Sequence, residues 1–213
     1  MLGMFALNTA GISGSIMQMV NHGLSTGALF LLIGMLYERY HTRKLSDYGG
    51  MAKRLPLLST FMVFTCLTSV GLPGLNGFIG EVLVLMGVFQ AEWTRGYWPV
   101  FAVVGASGII LGAWYLFTML RQVFFGPLKE PRVPLHDDHG PIRDLDLREL
   151  VTLVPIAVLC VAIGVYPQPL LATSQRDVDV IVDIAQRARQ RTALAQQQQP
   201  PAVAEQNAGE PTP

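Results

Sequence analysis

The sequence predicts an all-α integral membrane fold. About four transmembrane helices follow an amino-terminal helix stub, one of them (56–91) is discontinuous, and the chain ends in a disordered tail. Three observations carry this. Charge is scarce: 51% of the 213 residues are hydrophobic and only 14% are charged, where a soluble domain has about 25% charged residues. The apolar residues gather into long windows almost free of Asp, Glu, Lys and Arg. The basic residues between those windows fall into two clusters.

The opening residues, Met1 to Gly11, lack a basic leader region. They read as the last turns of a helix rather than a signal peptide. The first window runs from Gly14 to Tyr37, the second from Leu55 to Ala91, the third from Gly96 to Leu120 and the fourth from Leu150 to Leu170. A helix needs about 20 apolar residues to cross the hydrocarbon. The second window is too long for one ordinary span and holds Gly71-Leu72-Pro73-Gly74-Leu75-Asn76-Gly77, a helix breaker. It is therefore either one broken span or two short ones.

Charge separates the two readings. Arg39, Arg43, Lys44, Lys53 and Arg54 lie in 38–54, and Arg121, Lys129, Arg132, Arg143 and Arg148 in 121–148, whereas the connection from Gln90 to Trp98 carries only Arg95 among basic residues. A single broken span places both basic loops on one side, as the positive-inside rule asks. The expectation is one discontinuous helix with halves near 56–71 and 75–91. Loops 38–54 and 121–148 are then cytoplasmic and the carboxy-terminal tail non-cytoplasmic. Trp93, Tyr97 and Trp98 fit an interfacial aromatic belt on the non-cytoplasmic side. Residues 1–171 form the transmembrane region and 172–195 a possible surface helix, with Val178, Ile181, Val182, Ala185 and Ala188 at helical spacing. The glutamine- and proline-rich 196–213 forms the disordered tail.

Zero formal net charge excludes a strongly basic nucleic-acid binder. Cys66 and Cys160 stand alone in apolar runs and read as small buried residues rather than a metal or disulfide framework. No phosphate loop, nucleophile elbow or haem motif is present. His41, His136 and His139 fall in the basic loops, and Asp137-Asp138-His139 has no partner motif for a metal, so a solvated loop is the reading there. Apart from cysteines and tyrosines, the titratable groups well inside the windows are His22 and Glu81. An ionised carboxylate at the bilayer centre costs at least about 2.5–3.5 kcal/mol. Glu81 must be protonated, paired or facing a hydrated cavity, which suits a proton carrier better than a purely structural role. His22 has a side chain that exchanges a proton near neutrality. From the residues alone it reads equally as a relay or as a neutral histidine bonded between helices.

Met19-Val20-Asn21-His22-Gly23-Leu24-Ser25-Thr26-Gly27-Ala28-Leu29-Phe30, Gly34 to Arg39 and Gly71 to Glu81 resemble the antiporter-like subunits of respiratory complex I, the NADH-quinone oxidoreductase. Arg121 to Gly126 and Gly164 to Leu170 resemble them as well, and the likeness covers roughly Met1 to Leu171. The sister branches typically carry lysine where this chain has Glu81, so the likeness is nearest to the subunit M, or chain 4, branch. It implies that the chain corresponds to the carboxy-terminal part of a longer helical bundle. It also implies a role in proton translocation as a membrane subunit of a translocase, in the cell inner (plasma) membrane. His22 would belong to the polar chain along the midplane, and Glu81 to the proton path toward the outer side. No cofactor is expected on this chain; NADH, FMN, iron-sulfur clusters and quinone would sit on partner subunits. The expected partners are other complex I membrane subunits, lipid, and the missing amino-terminal helices or a second polypeptide supplying them. A subunit of a Mrp-type sodium/proton antiporter or a membrane-bound hydrogenase, or a non-functional scaffolding fragment, are the alternatives.

Overall fold

The structure, a computed structural model, describes residues 1–91, 97–131 and 142–198. It is all-α apart from an isolated bridge pairing Gly49 with Lys129. The helices are α1 (Leu2–Phe5), α2 (Thr9–Tyr40), α3 (Pro56–Ser69), α4 (Asn76–Gln90), α5 (Trp98–Val123), α6 (Leu147–Val165) and α7 (Gln168–Gln198). By length and composition α2, the Val103–Val123 part of α5, and α6 are each long and apolar enough to cross a membrane. The halves of the second window, α3 and α4, have 14 and 15 residues. At about 1.5 Å per residue each reaches only about 20 Å, short of a hydrocarbon core of about 30 Å. They cross only as a pair, which makes them one discontinuous helix.

Local chemistry sets each boundary. Asn8 caps α2: its Oδ1 accepts from the Gly11 amide at 2.8 Å, while its Nδ2 donates to the Gly87 carbonyl at 2.7 Å. At the other end His41 adopts a left-handed conformation that closes the helix. Pro56 opens α3, where its missing N–H costs nothing. The Asp144 carboxylate accepts from the Leu57 and Leu58 amides at 2.6 and 3.1 Å, so a residue distant in sequence caps α3. Asp146 and Glu149 form a reciprocal capping box at the start of α6.

Between α3 and α4 the chain turns through Gly71 (φ +75°) and Gly74 (φ +91°), either side of Pro73. The two half-helices overlap side by side there: a Cβ on Gly77 would strike the Thr68 carbonyl oxygen. Helices α2 and α4 then run antiparallel at close range. A Cβ on Gly14 would fall 2.7 Å from Leu83 Cβ and from the Val84 amide nitrogen, and Gly11 lies directly against Gly87. Small residues permit this approach where apolar burial gives helices little drive to associate. α6 reaches the break as well, with Gly164 seated against Gly74 and Leu75.

The basic loops meet at one end of the bundle, as a single broken span requires. Gly49 and Lys129 exchange backbone hydrogen bonds of 3.0 and 2.8 Å, the Ala52 amide donates to the Phe124 carbonyl at 3.0 Å, and Arg54 pairs with Glu130 at 3.3 Å. Tyr40, Met51, Leu55, Leu58, Leu120 and Phe124 form the apolar core beneath them. At the opposite end α7 lies beside Ala6, Leu7, Asn8, Gln90 and Ala91, around a cleft completed by Gln186, Arg189 and Gln190. Val178 is fully buried.

Three boundaries differ from expectation. The fourth window stops at Val165, because Tyr166 precedes Pro167 and the helical conformation is disfavoured before proline. Leu170 and Leu171 therefore belong to α7. That helix runs through 172–195 and on to Gln198, so Gln196 to Gln198 are helical where the tail was expected to be disordered. Glutamine is a good helix former, and nothing in the preceding Ala-, Arg- and Gln-rich turns stops propagation. The rest of the tail, 199–213, lies outside the described residues, as do Trp93 and the loop carrying His136, Asp137, Asp138 and His139. Of the proposed aromatic belt, Tyr97 is described and exposed.

Candidate functional site

The break in the second span is where backbone and side-chain polarity collect. Glu81 lies on α4 a little over a turn beyond its start and is half-buried. Its carboxylate rests on Gly71: a Cβ there would overlap Oε2 and stand 2.9 Å from Cδ. Glycine at 71 therefore serves twice, allowing the left-handed turn and leaving room for the acid. Among the described residues no hydrogen-bond or ion-pair partner meets the Glu81 side chain.

On the neighbouring face of α4, two asparagines hold α2 to the start of the half-helix. Asn21 Nδ2 donates to the Asn76 carbonyl at 2.6 Å, and Asn76 Nδ2 donates back to the Asn21 carbonyl at 3.5 Å. Both residues are buried, 1% and 0% exposed. Gln18 Oε1 lies against Gly80, and a Cβ on Gly80 would stand 3.1 Å from Asn21 Nδ2. Ser25 continues the polar line along α2 and donates to the Asn21 carbonyl at 2.9 Å.

The structure thus sets Glu81 at the break, against Gly71, and Asn21, Gln18 and Asn76 on the α2-facing side of the same half-helix. His22 follows Asn21 on α2 and is exposed in this chain. Among the described residues no hydrogen bond or ion pair joins it to Glu81. Cys66 and Cys160 are free and buried.

Sequence reasoning missed a second polar centre. Arg39, counted only among the loop cations, is 11% exposed and forms a bidentate pair with Glu149, itself 8% exposed, at 2.9 and 2.6 Å. It also donates to the carbonyls of Met35, Arg143 and Asp144 at 2.7, 2.9 and 3.2 Å. One guanidinium thereby ties the end of α2 to the start of α6, and through Asp144 to the start of α3. Arg39 and Glu149 are 110 residues apart, and no local pattern announces the pair.

Residues 1–110 match the family described as NADH:quinone oxidoreductase/Mrp antiporter, TM. The chain belongs to this family. This antiporter-family chain has relatives among quinone-oxidoreductase subunits. It is 38% identical over 167 residues to NADH-quinone oxidoreductase subunit M of Rhodobacter capsulatus, covering 78% of this chain and 30% of that one. It is 39% identical over 181 residues to NADH-ubiquinone oxidoreductase chain 4 of Marchantia polymorpha, covering 85% and 34%. The antiporter-family chain spans about a third of the length of these relatives. Among solved structures it superposes on a chain of respiratory complex I from Thermus thermophilus with bound NADH, with TM-score 0.70 and 28% identity, covering 85% of this chain and 36% of that one. A chain of the Mrp complex from Dietzia sp. DQ12-45-1b gives TM-score 0.70 at 20% identity, covering 85% and 40%, and shares the fold. The expected kinship with subunit M, or chain 4, is the kinship found.

Proposed function

We propose that this chain forms part of a proton-translocating, antiporter-like membrane subunit of an NADH-quinone oxidoreductase, with Glu81 as a proton-transfer group. The observation that carries the reading is the carboxylate seated on Gly71 at the interruption of a membrane span. Freed backbone groups there require polar partners, and broken helices in transporters place ion sites at such points. An unpaired acid in this setting exchanges its proton as neighbouring charge comes and goes. Protons enter from the basic-loop side, taken as cytoplasmic, and pass the midplane polar groups, of which His22 is one. They leave by way of Glu81 toward the outer side. The membrane is the cell inner membrane, and α7 with the tail lies on its outer face.

Electron transfer takes place elsewhere. NADH, FMN, iron-sulfur clusters and quinone reside on partner subunits, and this chain carries no redox centre. The remaining helices of the path come from upstream sequence or from a second polypeptide, packed among the other complex I membrane subunits. The Mrp antiporters share the fold, but the relatives described above at 38% and 39% identity are quinone-oxidoreductase subunits, which favours the first reading.

The test is Glu81→Gln in the assembled complex. NADH-driven proton pumping in inverted membrane vesicles is expected to fall by roughly tenfold or more, as for loss of an acid–base group. Unchanged pumping at normal complex content overturns the assignment.

A further inference from the structure

Where the basic loops meet at the end of α2, a cleft of about 430 Å³ opens among Tyr40, Thr42, Asp47, Lys129 and Glu130. Its size falls in the range of about 300–1,000 Å³ usual for small-molecule sites. Its charges are mixed and only partly matched. Glu130 is paired with Arg54 at 3.3 Å. Asp47 is not paired: its Oδ2 accepts from the Thr42 hydroxyl at 3.1 Å, and among the described residues no ion pair joins it. Lys129 donates from Nζ to the Ser46 carbonyl, and among the described residues no ion pair joins it either. An anion and a cation thus line one cleft without meeting each other. Tyr40 adds a third unspent group. Its ring stands edge-to-face against that of Tyr48, with centroids 5.7 Å apart. Tyr48 donates its hydroxyl to the Thr42 carbonyl at 2.8 Å, whereas the enclosed Tyr40 hydroxyl has no protein partner.

Depth decides what kind of ligand reaches this place. Helix α2 has 32 residues and ends at Tyr40. At about 1.5 Å per residue it rises about 48 Å, against about 40–45 Å for a bilayer with its headgroup layers. The cleft therefore opens at headgroup level. Leu45, Phe125 and Leu128, close in sequence to the lining residues, are exposed, as suits side chains that meet the boundary between headgroups and acyl chains. Among the described residues no group of three His, Cys, Asp or Glu side chains converges to hold a metal ion. A lone cation or a lone anion would answer one of the two unpaired charges and leave the other.

We propose that this cleft binds the headgroup of a zwitterionic phospholipid that carries a primary ammonium, of the phosphatidylethanolamine class. The ammonium meets the free oxygen of Asp47, and the phosphate meets Lys129. Tyr40 supplies a hydroxyl still in need of an acceptor. The acyl chains run past the exposed apolar side chains into the bilayer. A primary ammonium brings N–H donors to the carboxylate; a trimethylammonium brings none. The bound headgroup bridges the two basic loops where the Gly49 and Lys129 backbones already pair. The proposal rests on the membrane fold and is independent of the transport reading, so the experiment does not measure pumping.

The assembled complex containing the full chain is reconstituted into phosphatidylcholine vesicles that carry a trace of a photoactivatable phospholipid, labelled on the acyl chain near the glycerol. Cross-links are mapped by mass spectrometry. The phosphatidylethanolamine probe is expected to label 45–48 and 128–130 roughly tenfold more than the phosphatidylcholine probe, as for one hydrogen bond between charged groups. It is also expected to exceed the phosphatidylglycerol probe, which has the phosphate without the ammonium. Asp47→Asn keeps an oxygen for the Thr42 hydroxyl. It is expected to abolish the preference for phosphatidylethanolamine without lowering phosphatidylglycerol labelling, whereas a misfolded loop would lower both. Lys129→Gln is expected to lower labelling by both probes. Equal labelling by phosphatidylethanolamine and phosphatidylcholine in the unaltered complex, which needs no variant, overturns the proposal. So does an undiminished preference in Asp47→Asn. Loss of the cross-links on adding soluble phosphoethanolamine overturns the lipid in favour of a soluble ligand.

Discussion

Exchanging Gly71 for alanine probes the seat of Glu81 without touching the acid itself. Two effects are expected. First, φ at 71 is +75°, and an L-residue in the left-handed region costs about 1–2 kcal/mol. Second, the new methyl group would overlap Glu81 Oε2 and stand 2.9 Å from Cδ, where carbon atoms prefer about 3.5–4.0 Å. The side chain is flexible, so it yields rather than the backbone, and the carboxylate retreats by about an ångström. A displacement of that size costs up to about a hundredfold in a positioned reaction. Gly74 supplies the matched control: its φ is +91°, and a Cβ there meets nothing within 4 Å. Gly74→Ala therefore carries the backbone strain without the displacement. NADH-driven pumping in inverted vesicles, normalised to the amount of assembled complex, is expected to fall roughly 10–100-fold in Gly71→Ala and to change little in Gly74→Ala. Equal pumping by the two variants would falsify the claim that the carboxylate works from its seat on residue 71.

Three further outcomes follow from the basic-loop end. Glu149→Ala leaves the Arg39 guanidinium enclosed without its carboxylate and is expected to cost about 3–5 kcal/mol; a double-mutant cycle with Arg39→Met, read by chemical denaturation in detergent, should return a coupling well above that of a surface pair, and a negligible coupling refutes the clamp. Asp144→Ala strips the two amide bonds from the start of α3 and should cost about 1 kcal/mol, seen as faster hydrogen exchange at Leu57 and Leu58; unchanged exchange counts against the cap. Burial, helped by the neighbouring Asp47 carboxylate, pushes the Tyr48 phenol up from 10.0 to about 12. Because the folded value is the higher one, its stabilising contribution is complete below pH 10 and is lost as pH rises through about 12. Ultraviolet titration of Tyr48→Phe against the unaltered chain isolates that transition, and a Tyr48 signal near pH 10 contradicts the buried environment.

Much of the fold was legible because lipid imposes a coarse rule. Charge-free windows located α2, α5, α6 and the paired α3–α4. The Gly71–Gly77 run marked the interruption because glycine and proline act locally. Boundaries that depend on a single neighbour were less legible. The fourth window crossed Tyr166–Pro167 because hydropathy averages over a proline, and the helix persisted to Gln198 because a polar composition does not by itself end a helix. At the candidate site, Glu81 stood out through the cost of its charge. Asn21 and Asn76 carry no charge, and each was read only as part of its own segment. What matters about them is their pairing across 55 residues, which no periodicity reports. Arg39 was hidden for the same reason: a loop cation and an enclosed one look alike until the distant carboxylate is placed beside it. His22 shows the reverse limit, a residue prominent in sequence whose neighbours within this chain leave it uncovered.

The two halves of the broken helix are fastened to opposite ends of the same two helices, α2 and α6. The first is gripped at its origin by Asp144, within the assembly that Arg39 locks together. The second is bedded along its length on α2 and touched at its root by Gly164 of α6. The joint between them, where the acid rests, is thus held from both ends of one frame.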